Sequence, residues 1–322
     1  AGHRARRRHP AAPSRPVAVP DGVDLPLAGP APIEVTDSHE AMVGGATVRR
    51  ALPRRGRRTV GAWCFADHFG PAAVTENAGM DVGPHPHMGL HTVTWLVEGQ
   101  LLHRDSLGSE QVIRPGQLNL MTAGAGIAHA EEATGQHLGT LQGIQLWVAQ
   151  PEATRHGAAA FEHHGALPQV EVAGGVATVL IGELGGARST ARADTPLIGA
   201  ELLLLSDTTV PLQAGFEHAL VVLEGAVAVD GQPLVPGRLG VLGVGRDEVA
   251  LEVREPARVM LLGGEPFESP ILMWWNYVAR SRDEIDAAHA SWSQQDDRFG
   301  RVRSRLPLIP AAPPFWQAAS GE

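Results

Sequence analysis

Residues 83–91 read Gly83-Pro84-His85-Pro86-His87-Met88-Gly89-Leu90-His91, and residues 122–131 read Thr122-Ala123-Gly124-Ala125-Gly126-Ile127-Ala128-His129-Ala130-Glu131. In each stretch two potential metal donors stand at i, i+2. Extended backbone turns side chains at that spacing to one face. Two such strands inside a barrel would bring three imidazoles and one carboxylate to a point: His85, His87, His129 and Glu131. That set leaves two positions of an octahedral metal open. The same alternation sends Glu132 to the face opposite His129.

The surrounding sequence agrees with strands. From Ile33 onward the chain consists of short apolar runs punctuated by Gly and Pro, among them Gly61–Asp67, His91–Leu96, Leu118–Met121, Ile144–Val148, Ala177–Ile181, Ala200–Leu205, Ala219–Leu223 and Arg258–Leu262. Runs of this length with turn residues between them predict an all-β sandwich or barrel. A unit repeats. Leu96-Val97-Glu98-Gly99 leads to Pro115-Gly116, and Leu223-Glu224-Gly225 leads to Pro236-Gly237. Two related β-domains follow from this. A helix is predicted from about Arg282 to Gln295. Ser281 and Glu284 form a capping box, and Ile285, Ala288, His289 and Trp292 share one face.

Composition sets the limits. The chain has 322 residues and a mass of 34.0 kDa, enough for two domains. It contains one cysteine, Cys64, which excludes a disulfide framework, a cysteine zinc cluster and an iron–sulfur centre. There is no lysine, so a Schiff-base or P-loop lysine is excluded and all 26 basic residues are arginine. No run approaches the ~20 apolar residues of a membrane helix. The net charge is −9. Residues 1–32 hold five arginines against two aspartates, a balance of +3, so the remainder carries −12. An acidic body disfavours nucleic acid as a partner. The arginines at 49, 50, 54, 55, 57 and 58, without interleaved aromatics, are expected on a solvated face. The single cysteine and the lack of an apolar run after the first arginines point to the cytoplasm.

The chain resembles the pirin family, bicupins of the cupin superfamily. The resemblance rests on His85-Pro86-His87, on Thr92-Val93-Thr94-Trp95-Leu96 to Glu98-Gly99, on Met121-Thr122-Ala123-Gly124 to His129-Ala130-Glu131, on Leu146-Trp147-Val148, and on Gly264-Glu265-Pro266 with Pro270-Ile271. It covers about residues 36–290. It implies two β-barrel (jelly-roll) domains with a short C-terminal helix packed back on them. The expected layout is a disordered basic Pro/Ala-rich tail over 1–35, a metal-binding cupin over 36–152, and a second cupin over 153–265 lacking metal ligands. A C-terminal segment and helix then span 266–300, and a tail 301–322. Aligning the repeats places Gln213 and Ala250 where the first domain has His87 and His129.

The resemblance further implies metal ligands His85, His87, His129 and Glu131, with one divalent metal: iron(II) first, with Mn, Ni, Co, Cu and Zn as alternatives. Glu131 is the catalytic candidate. His91, in the same strand parity as His87 and where many cupins place Glu, is expected in the pocket wall or behind a ligand. His103 and Asp105 are also expected behind the ligands. The implied activity is that of a quercetin 2,3-dioxygenase, with a flavonol-like or enediol substrate and dioxygen. The alternative is a non-catalytic, iron- and redox-dependent regulator that binds a protein partner.

Overall fold

The computed structural model describes residues 31–75 and 79–318. The tail expected to be disordered lies outside the described residues as far as residue 30. The fold is all-β. A seven-stranded sheet runs in the order Ala160–His164, Leu118–Thr122, Leu90–Glu98, Gly139–Ala149, Trp63–Val74, Ala46–Leu52, His39–Val43. A four-stranded sheet, in the order Val82–His87, Ile127–Glu132, Leu101–Asp105, Glu110–Ile113, closes the first barrel. The second domain is built on a nine-stranded sheet centred on Glu217–Val229, Glu248–Gly264 and Leu197–Leu204.

Strand alternation explains how the two domains join. In Leu90–Glu98, Val93 and Trp95 face one side, and Leu118, Leu120, Ile144 and Leu146 from neighbouring strands join them. They pack against Leu197, Val221, Met260 and Leu262 of the second domain in one buried core. The two large sheets therefore lie back to back. The opposite parity, including Thr94, Gln145 and Trp147, faces into the first barrel. Trp63 fastens the joint. Its indole N–H is shared between the carbonyls of Ile198 and Gly263, at 3.0 and 3.1 Å. Its ring leaves no room at Gly199, where a Cβ would lie 2.8 Å from it.

The repeat read from the sequence is a pair of equivalent turns. Gly116 and Gly237 have φ of 81° and 91°. In each turn the next N–H closes on the carbonyl three residues back, Gln117 to Arg114 and Arg238 to Val235. These positive φ values are what require glycine after the proline. In the second barrel, Thr208–Pro211 pairs with the start of Glu248–Gly264, as Val82–His87 pairs with Ile127–Glu132. Its inward positions are aliphatic: Val210, Val249 and Leu251. Gln213 and Ala250 are exposed. Counting from the glycine turns therefore misses the inward positions of the second barrel.

The domain boundaries shift in three places. Strand Glu34–Asp37 pairs with Arg238–Leu242 and so belongs to the second domain's sheet. The boundary expected at 152/153 falls too early, because Ala160–His164 pairs with Leu118–Thr122 and covers what would be an open sheet edge. The expected tail from 301 is instead packed on the first barrel. The Ile309 N–H donates to Pro84 O at 2.9 Å, and the Trp292 indole donates to Ile309 O at 2.9 Å. Helix Arg282–Gln294 starts as read, with Ser281 Oγ accepting from the Glu284 N–H at 3.3 Å. Glu284 does not complete the box: its carboxylate accepts from Arg280 N and pairs with Arg155.

Trp63→Ala removes a buried ring and both interdomain hydrogen bonds, and should cost about 3–5 kcal/mol. Equilibrium unfolding in urea reads this directly.

Candidate metal centre

The two donor stretches meet as the alternation requires. Strand Val82–His87 is the edge of the four-stranded sheet, which is where Pro84 and Pro86 are tolerated without breaking a ladder. It pairs antiparallel with Ile127–Glu132, with His85 directly opposite His129. His85, His87 and His129 are buried, and each offers a ligand atom within 4.8 Å of the others. Their ring centroids lie 4.3–5.0 Å apart. Among the described residues this is the one cluster of three or more potential donors so placed.

Hydrogen bonding fixes which nitrogen of each ring is free. His85 Nδ1 lies 2.8 Å from Gly83 O, and His87 Nδ1 lies 3.0 Å from Asn276 O. A carbonyl only accepts, so both Nδ1 atoms carry the proton and both Nε2 atoms are bare. His129 is set through a relay. Asp105 Oδ2 accepts from His103 Nε2 at 3.2 Å, and its Oδ1 accepts the N–H groups of Leu107 and Ser109 at 2.9 Å each. His103 Nδ1 is thereby left as an acceptor for His129 Nδ1–H, 3.4 Å away. The His87 and His129 Nε2 atoms then face each other at 3.1 Å with no proton between them. Bare lone pairs meeting in a buried pocket repel unless a cation lies between them. The donor set thus fits a divalent metal such as iron, nickel, copper or zinc.

Burial also keeps the triad neutral. It pushes His85 down to about 4, with the neighbouring His103 adding to the effect. His87 and His129 are held well below the ordinary value by burial and by the other imidazoles. Burial pushes the Glu131 carboxyl the other way, up from its ordinary value.

The remaining expected residues divide. Glu131 is buried and lines the same cavity, but it stands outside the compact triad; Thr94 Oγ1 lies 3.3 Å from its Oε1. Glu132 turns away, as alternation requires, to Arg104, Ser304 and Arg305. His103 and Asp105 stand behind His129. His91 does not stand behind a ligand. Gly89, at φ 70°, breaks the strand between His87 and His91 and resets the parity. His91 therefore points to the domain joint, bonded to Thr122 and to Asp194 Oδ2 at 3.1 Å. Against the opposing pull of burial, His91, Arg192 and Thr154 hold Asp194 well below the usual carboxylate range.

The cavity above the triad measures about 460 Å³. It includes residues that no motif indicated: Arg50, Asp67, Gln145, Trp275, Asn276 and Ile309. Arg50 was expected on a solvated face. It is instead half-buried, donating to Asp67 through Nε and one terminal nitrogen at 2.7 Å each. Sheet register sets Arg50 opposite Asp67 across two paired strands.

Comparison with known proteins agrees with this architecture. The Pirin family model matches residues 45–148, and the model for the Pirin C-terminal cupin domain matches residues 200–300. A Pseudomonas aeruginosa protein, provisionally named a quercetin 2,3-dioxygenase, is 47% identical over 85% of this chain and 88% of its own length. A pirin-like protein of Caulobacter vibrioides is 40% identical over 80% of this chain and 92% of its own. The crystal structure of a quercetin 2,3-dioxygenase from Acinetobacter baumannii superposes with a TM-score of 0.84 at 44% identity, covering 87% of this chain and 95% of that one. A bacterial pirin from Escherichia coli in complex with nickel(II) shares the fold, with a TM-score of 0.58 at 18% identity over 73% of this chain and 99% of that one. No helix among the described residues is long and apolar enough to cross a membrane.

The depressed triad has a consequence for stability. Between pH about 6.5 and 4 the unfolded chain protonates these histidines while the fold keeps them neutral. The unfolded state then binds more protons, so stability falls as pH falls through that window. Urea unfolding of metal-free protein at pH 7, 6 and 5 should show the loss. A variant with His85, His87 and His129 all changed to Gln should show a shallower slope; equal slopes would contradict a neutral triad.

Proposed function

The chain belongs to the pirin family, and on that premise we propose that it is a metal-dependent oxygenase of the quercetin 2,3-dioxygenase type. Iron(II) is held by His85, His87 and His129 together with the Glu131 carboxylate, and the substrate is a flavonol-like or enediol compound. One observation carries the reading: three bare imidazole nitrogens form the buried floor of a 460 Å³ cavity that suits a small organic molecule. The names of the Pseudomonas and Acinetobacter relatives support the same reaction class. When bound, the metal supplies a Lewis-acidic, redox-active centre for the substrate oxygens and dioxygen.

The protein's own groups do the rest. Glu131 accepts the proton that the substrate hydroxyl gives up, and a carboxyl raised by burial is the better base for it. Thr94 has one hydroxyl proton and two acceptors, Gln145 Oε1 at 3.0 Å and Glu131 Oε1 at 3.3 Å. When Glu131 is protonated, Thr94 serves Gln145; when Glu131 is ionised, Thr94 can turn to it. Phe65 and Trp147, stacked at 4.0 Å and 13°, give the wall a flat apolar face that excludes water from the floor. The Asp105–His103 pair holds the His129 tautomer, so that its Nε2 stays bare.

Elemental analysis after anaerobic ferrous loading should find one metal per chain, and oxygen uptake should depend on quercetin. A loaded protein without quercetin-dependent uptake would overturn the catalytic reading. Glu131→Ala should lower turnover by about 100-fold or more; full activity with metal still bound would remove Glu131 from the reaction. Asp105→Asn leaves every ligand in place and should weaken metal affinity by roughly 10- to 100-fold, measured by competition with a chelating dye.

A further inference from the structure

Arg50, Asp67, Gln145 and Thr94 occupy directly opposed positions on four adjacent strands: Arg50 against Asp67, Asp67 against Gln145, and Gln145 against Thr94. They form one polar row across an otherwise largely apolar barrel wall. Such a row is costly unless its groups are satisfied. Most of them are. Arg50 spends Nε and one terminal nitrogen on both oxygens of Asp67, and Thr94 donates to Gln145 Oε1. Two sets of donors remain. The Gln145 amide N–H groups and the second terminal nitrogen of Arg50 have no partner among the described residues. Both residues line the cavity, and neither nitrogen is among the sealed, unpartnered atoms, so both keep access to open space.

The charge of this row matters as much as its geometry. Asp67 already balances Arg50, and Glu131 stands in the same cavity. A carboxylate placed against this row would find its cation already balanced. An uncharged ring oxygen, hydroxyl or carbonyl, would meet free N–H donors at no such cost. The Arg50 guanidinium lies 4.6 Å over Phe65, which stacks on Trp147, and Trp147 meets His87 edge-on at 5.0 Å. A flat slab therefore connects the donor row to the triad.

We propose that Gln145 and Arg50 are specificity-determining residues. They select a planar, uncharged substrate that is oxygenated at both ends: one end over the triad, the other on this donor row. The inference rests on the proposed function, since it assigns the far end of the substrate in the same cavity.

The test compares two flavonols with the same metal-binding edge, quercetin and 3-hydroxyflavone; the latter lacks the outer-ring hydroxyls. Binding to the metal-loaded protein is followed without oxygen by quenching of tryptophan fluorescence. The wild type should bind quercetin at least about tenfold tighter than 3-hydroxyflavone, the loss expected when buried donors go unpaired. Gln145→Met keeps the length and removes the donors. It should bring the ratio below about threefold, mainly by weakening quercetin. Gln145→Glu puts acceptors where the donors stood and should do the same, so the answer does not hang on one variant folding; circular dichroism checks both. An unchanged ratio in a folded variant overturns the assignment and leaves the proposed function standing. Failure of the wild type to bind either flavonol overturns the proposed function and this inference with it.

Discussion

Three imidazole nitrogens with no proton among them face one another in a buried space, and the architecture around them is arranged to keep them so. Each ring has its other nitrogen occupied: His85 by Gly83 O, His87 by Asn276 O, and His129 by the Asp105–His103 relay. Those partners come from three different parts of the chain. Asn276 lies in the C-terminal segment, almost two hundred residues from His87. The repulsion of three lone pairs is a standing cost in the metal-free fold, and a cation converts it into binding energy. Burial makes the same point by a second route, since none of the three rings takes up a proton near neutral pH.

The frame that holds this centre is the pair of large sheets set back to back. Alternation gives each strand two jobs. In Leu90–Glu98, Val93 and Trp95 build the interdomain core, while Thr94 reaches Glu131 across the first barrel. The second barrel keeps the same turns and strand pairing, but it fills its inward positions with Val210, Val249 and Leu251. One barrel thus carries the donors while the other, packed with aliphatic side chains, backs the sheet on which half of the cavity wall is built. The C-terminal segment completes the frame. Pro307 and Ile309 lie against Gly83 and Pro84 beneath the histidine-bearing strand, and Ile309 lines the cavity.

The polar row of Arg50, Asp67, Gln145 and Thr94 gives the cavity two unlike ends. A site with a metal floor alone would take any small chelator. A donor row at a fixed level on a rigid sheet adds a second condition, and two conditions separated by a flat aromatic wall describe a shape as well as a chemistry. The charge balance between Arg50 and Asp67 keeps this end of the cavity neutral.

Much of this was legible in the sequence because it depends on strand parity, which is local. The i, i+2 spacings of His85/His87 and His129/Glu131 put each pair on one face, and Glu132 fell on the other, whatever the rest of the chain did. The paired Pro-Gly turns marked the repeat, and Ser281 marked the helix. Where a parity count crossed a break it failed: Gly89 turned His91 away from the triad, and the count from the glycine turns landed on the exposed Gln213 and Ala250. The relay through His103 to Asp105 was visible as residues but not as a direction of hydrogen bonding. Arg50, Asp67 and Gln145 left no motif, since they lie on three different strands and become neighbours only through sheet register. By itself the sequence determined the fold class and the two donor pairs, because alternation is a property of a single strand. Which donors share a centre, which nitrogens are bare and what lines the wall were decided by tertiary structure, because each is a relation between strands that only the closed barrel brings within hydrogen-bonding distance.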